Sequence, residues 1–132
     1  MNGNRDDANC PCLSGEQYGA CCGRFHSGRA KAATAEQLMR SRYSAFALLD
    51  ADYLLLTHHP DTVPAELVLE PDMEWRRLDI VSTSRGGPLD TEGMVEFKAY
   101  YRQGDERGIL HEASRFVREG GRWYYVDGTF RG

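Results

Sequence analysis

Two stretches joined by a glycine pair, His111-Glu112-Ala113-Ser114-Arg115-Phe116-Val117-Arg118-Glu119 and Arg122-Trp123-Tyr124-Tyr125-Val126-Asp127-Gly128, decide how this chain folds. Apolar and polar residues alternate along both, the period of a strand with one buried face. Gly120-Gly121 between them supplies the two positive-φ positions of a tight hairpin turn. A two-residue turn there sets Arg118 opposite Trp123, Phe116 opposite Tyr125 and Ser114 opposite Asp127.

The same period extends upstream through Glu74–Ser84, Gly93–Gln103 and the start of Arg107–Glu119, with Gly86-Gly87-Pro88 and Gly104-Asp105 as turns. One sheet face then carries Val95, Phe97, Ala99, Tyr101, Leu110, Glu112, Ser114, Phe116, Tyr125 and Asp127. The other holds Glu96, Lys98, Arg102, His111 and Arg115 among Met94, Val117, Tyr124 and Val126, a mixed surface that suits a monomer or weak dimer.

Before the strands the period is helical. Thr34 is a good N-cap with Gln37 as its capping-box partner, and Ala35, Leu38, Met39, Phe46 and Leu49 form a stripe to Asp50. Arg42 falls within that stripe, whereas Arg40 and Ser44 are expected on the solvated side. Asp50 or Asp52 caps a second helix that Pro60 stops beyond His59, where His58 and His59 would meet the negative end of the helix dipole. Val63–Leu69 reads as a short helical piece. Helices followed by antiparallel strands give an α+β domain, with the helices on one face of a curved sheet.

That arrangement sets Arg42 against Glu112 and Asp127 on a buried face. The spacing predicts an Arg42–carboxylate pair, completed by Ser114. The same residues also read as the floor of an aromatic cone lined by Trp75, Phe97, Tyr101, Phe116 and Tyr125, which would hold a small molecule or serve an enzyme. His111 alternates away from Glu112, and the sequence has no Ser-His-Asp order, phosphate loop or dinucleotide fingerprint.

All four cysteines lie in Cys10-Pro11-Cys12-Leu13-Ser14-Gly15-Glu16-Gln17-Tyr18-Gly19-Ala20-Cys21-Cys22-Gly23. C-x-C and vicinal C-C make strained disulfide rings, and no cysteine follows Cys22. Cys10, Cys12, Cys21 and Cys22 are therefore expected to hold one structural Zn²⁺, with His26 as an alternative donor. Glu16–Cys22 is expected to form a short helix. Residues 1–9 read as a disordered lead with no signal-peptide core. With no ligand beyond Cys22, the sheet is expected to survive metal loss.

C-P-C-x-S-G-x-x-Y-x-x-C-C resembles the SEC-C zinc motif at the C-terminus of the bacterial preprotein translocase ATPase. Leu38-Met39-Arg40-Ser41-Arg42-Tyr43-Ser44-Ala45-Phe46, His111–Phe116 and Arg122–Gly128 are similar to the bacterial YchJ family. The resemblance implies a SEC-C knuckle over 10–28 and a nuclear-transport-factor-2-like, or cystatin-like, domain over 29–132. It also implies docking of a protein partner through the knuckle, as SEC-C docks an acidic export chaperone, and it carries no established activity.

The chain has 132 residues and a net charge of −4, which argues against a general nucleic-acid binder. All but two of its 16 basic residues are Arg. Arg5, Arg24, Arg29 and Lys31 near the cysteines either offset the thiolate charge or make a basic rim for an acidic partner or nucleic acid. The expectation is a cytoplasmic zinc protein acting as an interaction module, with small-molecule binding as the alternative.

Overall fold

The computed structural model describes residues 6–131. In chain order these form α1 (Cys22–His26), α2 (Ala35–Ala47), α3 (Ala51–Leu56), β1 (Met73–Arg85), β2 (Glu92–Gln103), β3 (Glu106–Glu119) and β4 (Arg122–Phe130). The strands make one antiparallel meander in the order β1-β2-β3-β4. Of the expected lead, residues 1–5 lie outside the described residues. Its end is tied down: Tyr18 N donates to Ala8 O, and Asn9 bridges Gln17.

Local signals start the helices as their sequence indicates. Thr34 Oγ1 accepts from Gln37 N at 3.1 Å, and Gln37 Oε1 reaches back to Ala33 N at 2.7 Å. Asp50 Oδ1 accepts from Tyr53 N and caps α3. Val63–Leu69 has no helix; it crosses the domain as an extended loop. Pro64 and Leu67 from this loop close one side of a cavity.

Turn chemistry fixes the β3–β4 register only over its first half. Gly120 and Gly121 have φ of +60° and +81°, and Arg118 faces Trp123 and Phe116 faces Tyr125. Between Arg115 and Phe116 the pairing shifts by one residue. Beyond this bulge Ser114 faces Gly128, and Asp127 faces Arg115 on the outer side. A bulge adds one unpaired residue and so reverses the face of every later partner. Two further irregularities in β1, at Trp75/Arg77 and Ile80/Ser82, bend the same sheet.

Helix α2 is buried on more than one side. Ser41, Arg42, Tyr43, Ser44 and Ala45 are consecutive and all buried. The sheet covers one flank through Leu78, Val95, Phe97 and Phe116, and Cys10, Cys12, Tyr18 and Cys22 join the same hydrophobic cluster. A helix buried all round lies between two layers. The knuckle covers much of the side expected to be solvated: Ser44 is fully enclosed, and the part-exposed Arg40 donates to Cys12 O at 3.2 Å and pairs with Glu36.

Where β1 leaves the sheet, Gly86 touches the start of α2. Its carbonyl accepts from Ala35 N at 2.9 Å, its φ is +80°, and a Cβ there would lie 2.8 Å from Ala35 Cβ. Gly86→Ala combines left-handed strain with overpacking, together about 2–4 kcal/mol. Urea denaturation should show a lowered midpoint at unchanged slope, and an unchanged midpoint would contradict this packing.

Candidate metal centre and polar cavity

The cysteine knuckle is a set of short turns. Leu13 N donates to Cys10 O at 3.0 Å, with Leu13 in the left-handed region at φ 59°. Gly15 turns the chain at φ +94°, and Cys10 N then bonds Glu16 O at 3.0 Å. The expected Glu16–Cys22 helix is instead a 3-10 turn at Tyr18–Ala20, and α1 begins at Cys22. Gly23 allows this: a Cβ would meet Tyr18 O at 2.7 Å.

This folding brings the four sulfurs within 4.8 Å of one another. Cys12 and Cys21 Sγ are 3.6 Å apart, and Cys21 and Cys22 Sγ 4.0 Å. A tetrahedron with bonds of about 2.3 Å has edges of about 3.8 Å, whereas a disulfide needs about 2.05 Å. The donor set fits a four-thiolate metal site and no disulfide. Hydrogen bonds from Cys12 and Cys22 hold the Cys10 thiol far below its usual range and push their own thiols up. A divalent cation reverses that rise by stabilising all four as thiolates.

Neighbouring groups brace the cluster. Ser14 Oγ lies 3.1 Å from Cys21 Sγ, and Ser44 Oγ lies 3.6 Å from Cys10 Sγ. Arg24 Nε donates to Cys21 O and Arg29 Nη2 to Gly19 O. Arg5 lies outside the described residues. His26 is not an alternative ligand: its Nε2–H donates to Ser41 O at 2.8 Å, leaving Nδ1 to accept from Tyr18 Oη. Its ring also packs on Tyr53, so it fastens α1 to α2 and α3.

On the opposite flank of α2 lies a cavity of about 300 Å³. Of the proposed cone, Arg42, Trp75, Phe97, Glu112, Ser114 and Tyr125 line it. Tyr101 packs edge-on against Trp75 and covers Gly108, and Phe116 is enclosed in the core. Asp127 is on the outer face, where Arg115 Nε and Nη2 each donate to it at 2.7 Å. Its carboxyl is held below the usual range by that guanidinium.

Arg42 points inward, but among the described residues no carboxylate is in ion-pair contact with it. Its Nη1 donates to Leu54 O at 2.9 Å and Thr57 Oγ1 at 2.7 Å. The guanidinium carbon lies 4.5 Å above the Tyr125 ring centroid, a cation–π contact. Glu112 Oε2 instead accepts from Ser114 Oγ at 3.0 Å and Tyr125 Oη at 3.2 Å. Burial lowers Arg42 to about 10, still charged at neutral pH, and raises Tyr125 to about 12.

Sequence reasoning missed several cavity residues. Gly128 matters because a Cβ there would fall within the Glu112 carboxylate; its signal was a glycine inside a strand. His58 lines the cavity edge-on to Tyr125, and Tyr43 also faces it. His58 was expected to gain protons at a helix end. Instead burial first, and then the charge of Arg42, lower its pKa. His59 is tied to β4 by its N–H to Tyr125 O and to Glu119 through Nε2 at 3.0 Å.

Two measurements check this site. Elemental analysis should find one tetrahedral metal per chain, lost in Cys21→Ala, and chelation should lower the melting temperature of the whole domain, because the ligands share a core with α2 and the sheet. Survival of the sheet at full stability without metal would refute that sharing. A depressed native pKa also gives His58 stability that is complete above about pH 6.5 and is lost as pH falls towards the native value. The stability of His58→Gln relative to the unsubstituted protein should therefore rise as pH drops through that window, in urea titrations of metal-loaded protein.

Comparison with known proteins agrees with both halves of this architecture. Residues 34–128 match the middle, nuclear-transport-factor-2-like domain of YchJ, and residues 8–24 match the SEC-C motif. A UPF0225 protein of Streptomyces coelicolor is 54% identical over 92% of this chain and 94% of its own length. One from Bordetella pertussis is 51% identical over 94% of each. The solution structure of a SEC-C motif containing protein from Rhodopseudomonas palustris is similar at 33% identity, with a TM-score of 0.81 over 93% of this chain and 98% of that one. A crystal structure of another, from Psychrobacter arcticus, has 29% identity and a TM-score of 0.75 over 98% of this chain and 86% of that one. The chain belongs to the YchJ, or UPF0225, family, an α+β domain carrying an N-terminal SEC-C motif.

Proposed function

We propose that this protein is a zinc-stabilised small-molecule binding protein whose ligand site is the cavity between α2, α3 and the sheet. The observation that carries the proposal is the cavity's composition. Its apolar walls come from Met39, Phe46, Leu54, Trp75, Phe97 and Leu110, and Arg42, His58, Glu112 and Ser114 converge on it. Apolar walls with a few converging polar groups are the usual make-up of a ligand site. The knuckle has the closed four-thiolate set of a structural zinc site, which supports a scaffolding role for the ion. Thiolate ligation also requires a reducing compartment, in keeping with a cytoplasmic location.

A second reading, a protein partner docked on the knuckle, draws on Leu13. That side chain is 56% exposed at the tip of the Cys10–Leu13 turn. Arg24 and Arg29 already donate to knuckle carbonyls, which favours charge compensation over a free basic rim for nucleic acid. A partner held by the unsubstituted chain and released by Leu13→Asp would support docking there.

The cavity reading is tested by filling it. Leu110→Trp adds volume from the sheet side of the lining. A panel of small aromatic and branched aliphatic compounds should raise the melting temperature of the zinc-loaded protein and leave that of Leu110→Trp unchanged. Equal shifts in both proteins would place binding elsewhere.

A further inference from the structure

We infer that the cavity accepts the carboxylate of a small monoanion with an apolar body, the acid group on Arg42 and the far end limited by Glu112. This inference rests on the cavity being the ligand site and adds the charge class of the ligand. The first observation is a buried charge with no ion-pair partner in contact. Arg42 is 5% exposed, and among the described residues no carboxylate lies within 4.0 Å of it. Its protein hydrogen bonds both leave from Nη1 and end on neutral oxygens. Glu112, the counter-charge that acts on it, is held off beyond Tyr125; a buried cation without a contacting carboxylate is costly, and an anionic ligand lowers that cost.

The second observation is where the spare donors lie. Nε and Nη2 of Arg42 have no hydrogen-bond partner among the described residues, and the guanidinium lines the cavity. Tyr43 Oη is the single enclosed and unpaired side-chain polar atom among those residues, so the unpaired Arg42 nitrogens are not sealed within protein, and Arg42 lines the cavity. A guanidinium presents two parallel N–H bonds from one edge, the pattern that a planar carboxylate fills.

Glu112 sets the other limit. Tyr125 separates it from Arg42, with the guanidinium over the ring and the carboxylate accepting from the hydroxyl. Ser114 and the bare Cα of Gly128 hold the carboxylate in that place. A second negative group on the ligand would meet this charge, whereas a hydroxyl or amine would find an acceptor. Dicarboxylates and phosphate dianions are therefore disfavoured. The volume, about 300 Å³ against about 30 Å³ per liquid water, leaves room for an organic body beyond the acid group.

The test compares isosteres on the intact, zinc-loaded protein. Benzoate, phenylacetate, 3-phenylpropanoate and 4-methylpentanoate are titrated by calorimetry against their primary amides, with phenylmalonate as the dianion. The expected result is at least a tenfold preference for the best carboxylate over its amide and over phenylmalonate. Arg42→Met and Arg42→Lys should both reduce that preference, and folding of each variant is checked by its near-ultraviolet circular dichroism. If neither variant folds, the comparison of acids with amides on the unsubstituted protein decides alone. An amide that binds as tightly as its acid overturns the charge assignment and leaves the cavity reading standing. No binding by any acid or amide overturns both.

Discussion

The placement of α2 between two covers governs the rest of the molecule. On one side the cysteine knuckle presses Cys10, Cys12 and Cys22 onto it; on the other the sheet meets it through Val95, Phe97 and Phe116. Burial from Ser41 to Ala45 follows directly. So does the need for each polar group there to find a partner: Ser41 Oγ to Leu38 O and Tyr53 Oη, Ser44 to a cysteine sulfur, Arg42 to Leu54 and Thr57. Tyr43 Oη is the one fully enclosed side-chain polar atom left without a partner among the described residues.

The polar interior differs from a buried ion pair in a way that matters. An Arg–carboxylate pair would satisfy itself and leave little for a ligand. Here the positive and negative groups are held apart by one aromatic ring, and each is fastened by neutral neighbours. The tie between the α3 exit and β4 keeps that ring in place: Tyr125 N donates to Thr57 O, and His59 N to Tyr125 O. The same Thr57 that accepts from Arg42 thus helps to position the ring beneath it.

Much of this was legible in the chain itself because its signals are local. Alternation located all four strands, Gly120-Gly121 set the register as far as Phe116, and Thr34 and Asp50 marked helix starts. The cysteine spacing indicated the set of thiols that comes together. What could not be read depends on distant contacts. The bulge at Arg115/Phe116 has no glycine or proline to announce it, and it carried Asp127 to the outside. Arg40 and Ser44 look solvated on a helical wheel until Cys12 and Cys10, 28 and 34 residues earlier, lie against them. Leu67 lines the cavity from an extended loop because tertiary packing overrides a weak local helical tendency.

Helix α2 carries neighbouring residues to different tasks. Arg40 and Ser44 touch the knuckle, while Arg42 and Tyr43 face the cavity. One helix shared by two sites links their occupancies to the extent that filling either one changes its order or position. If metal binding steadies the helix and tightens a ligand by some factor, that ligand must tighten the metal by the same factor. A metal in the knuckle and a ligand in the cavity would then each report on the other through α2, with no contact between them.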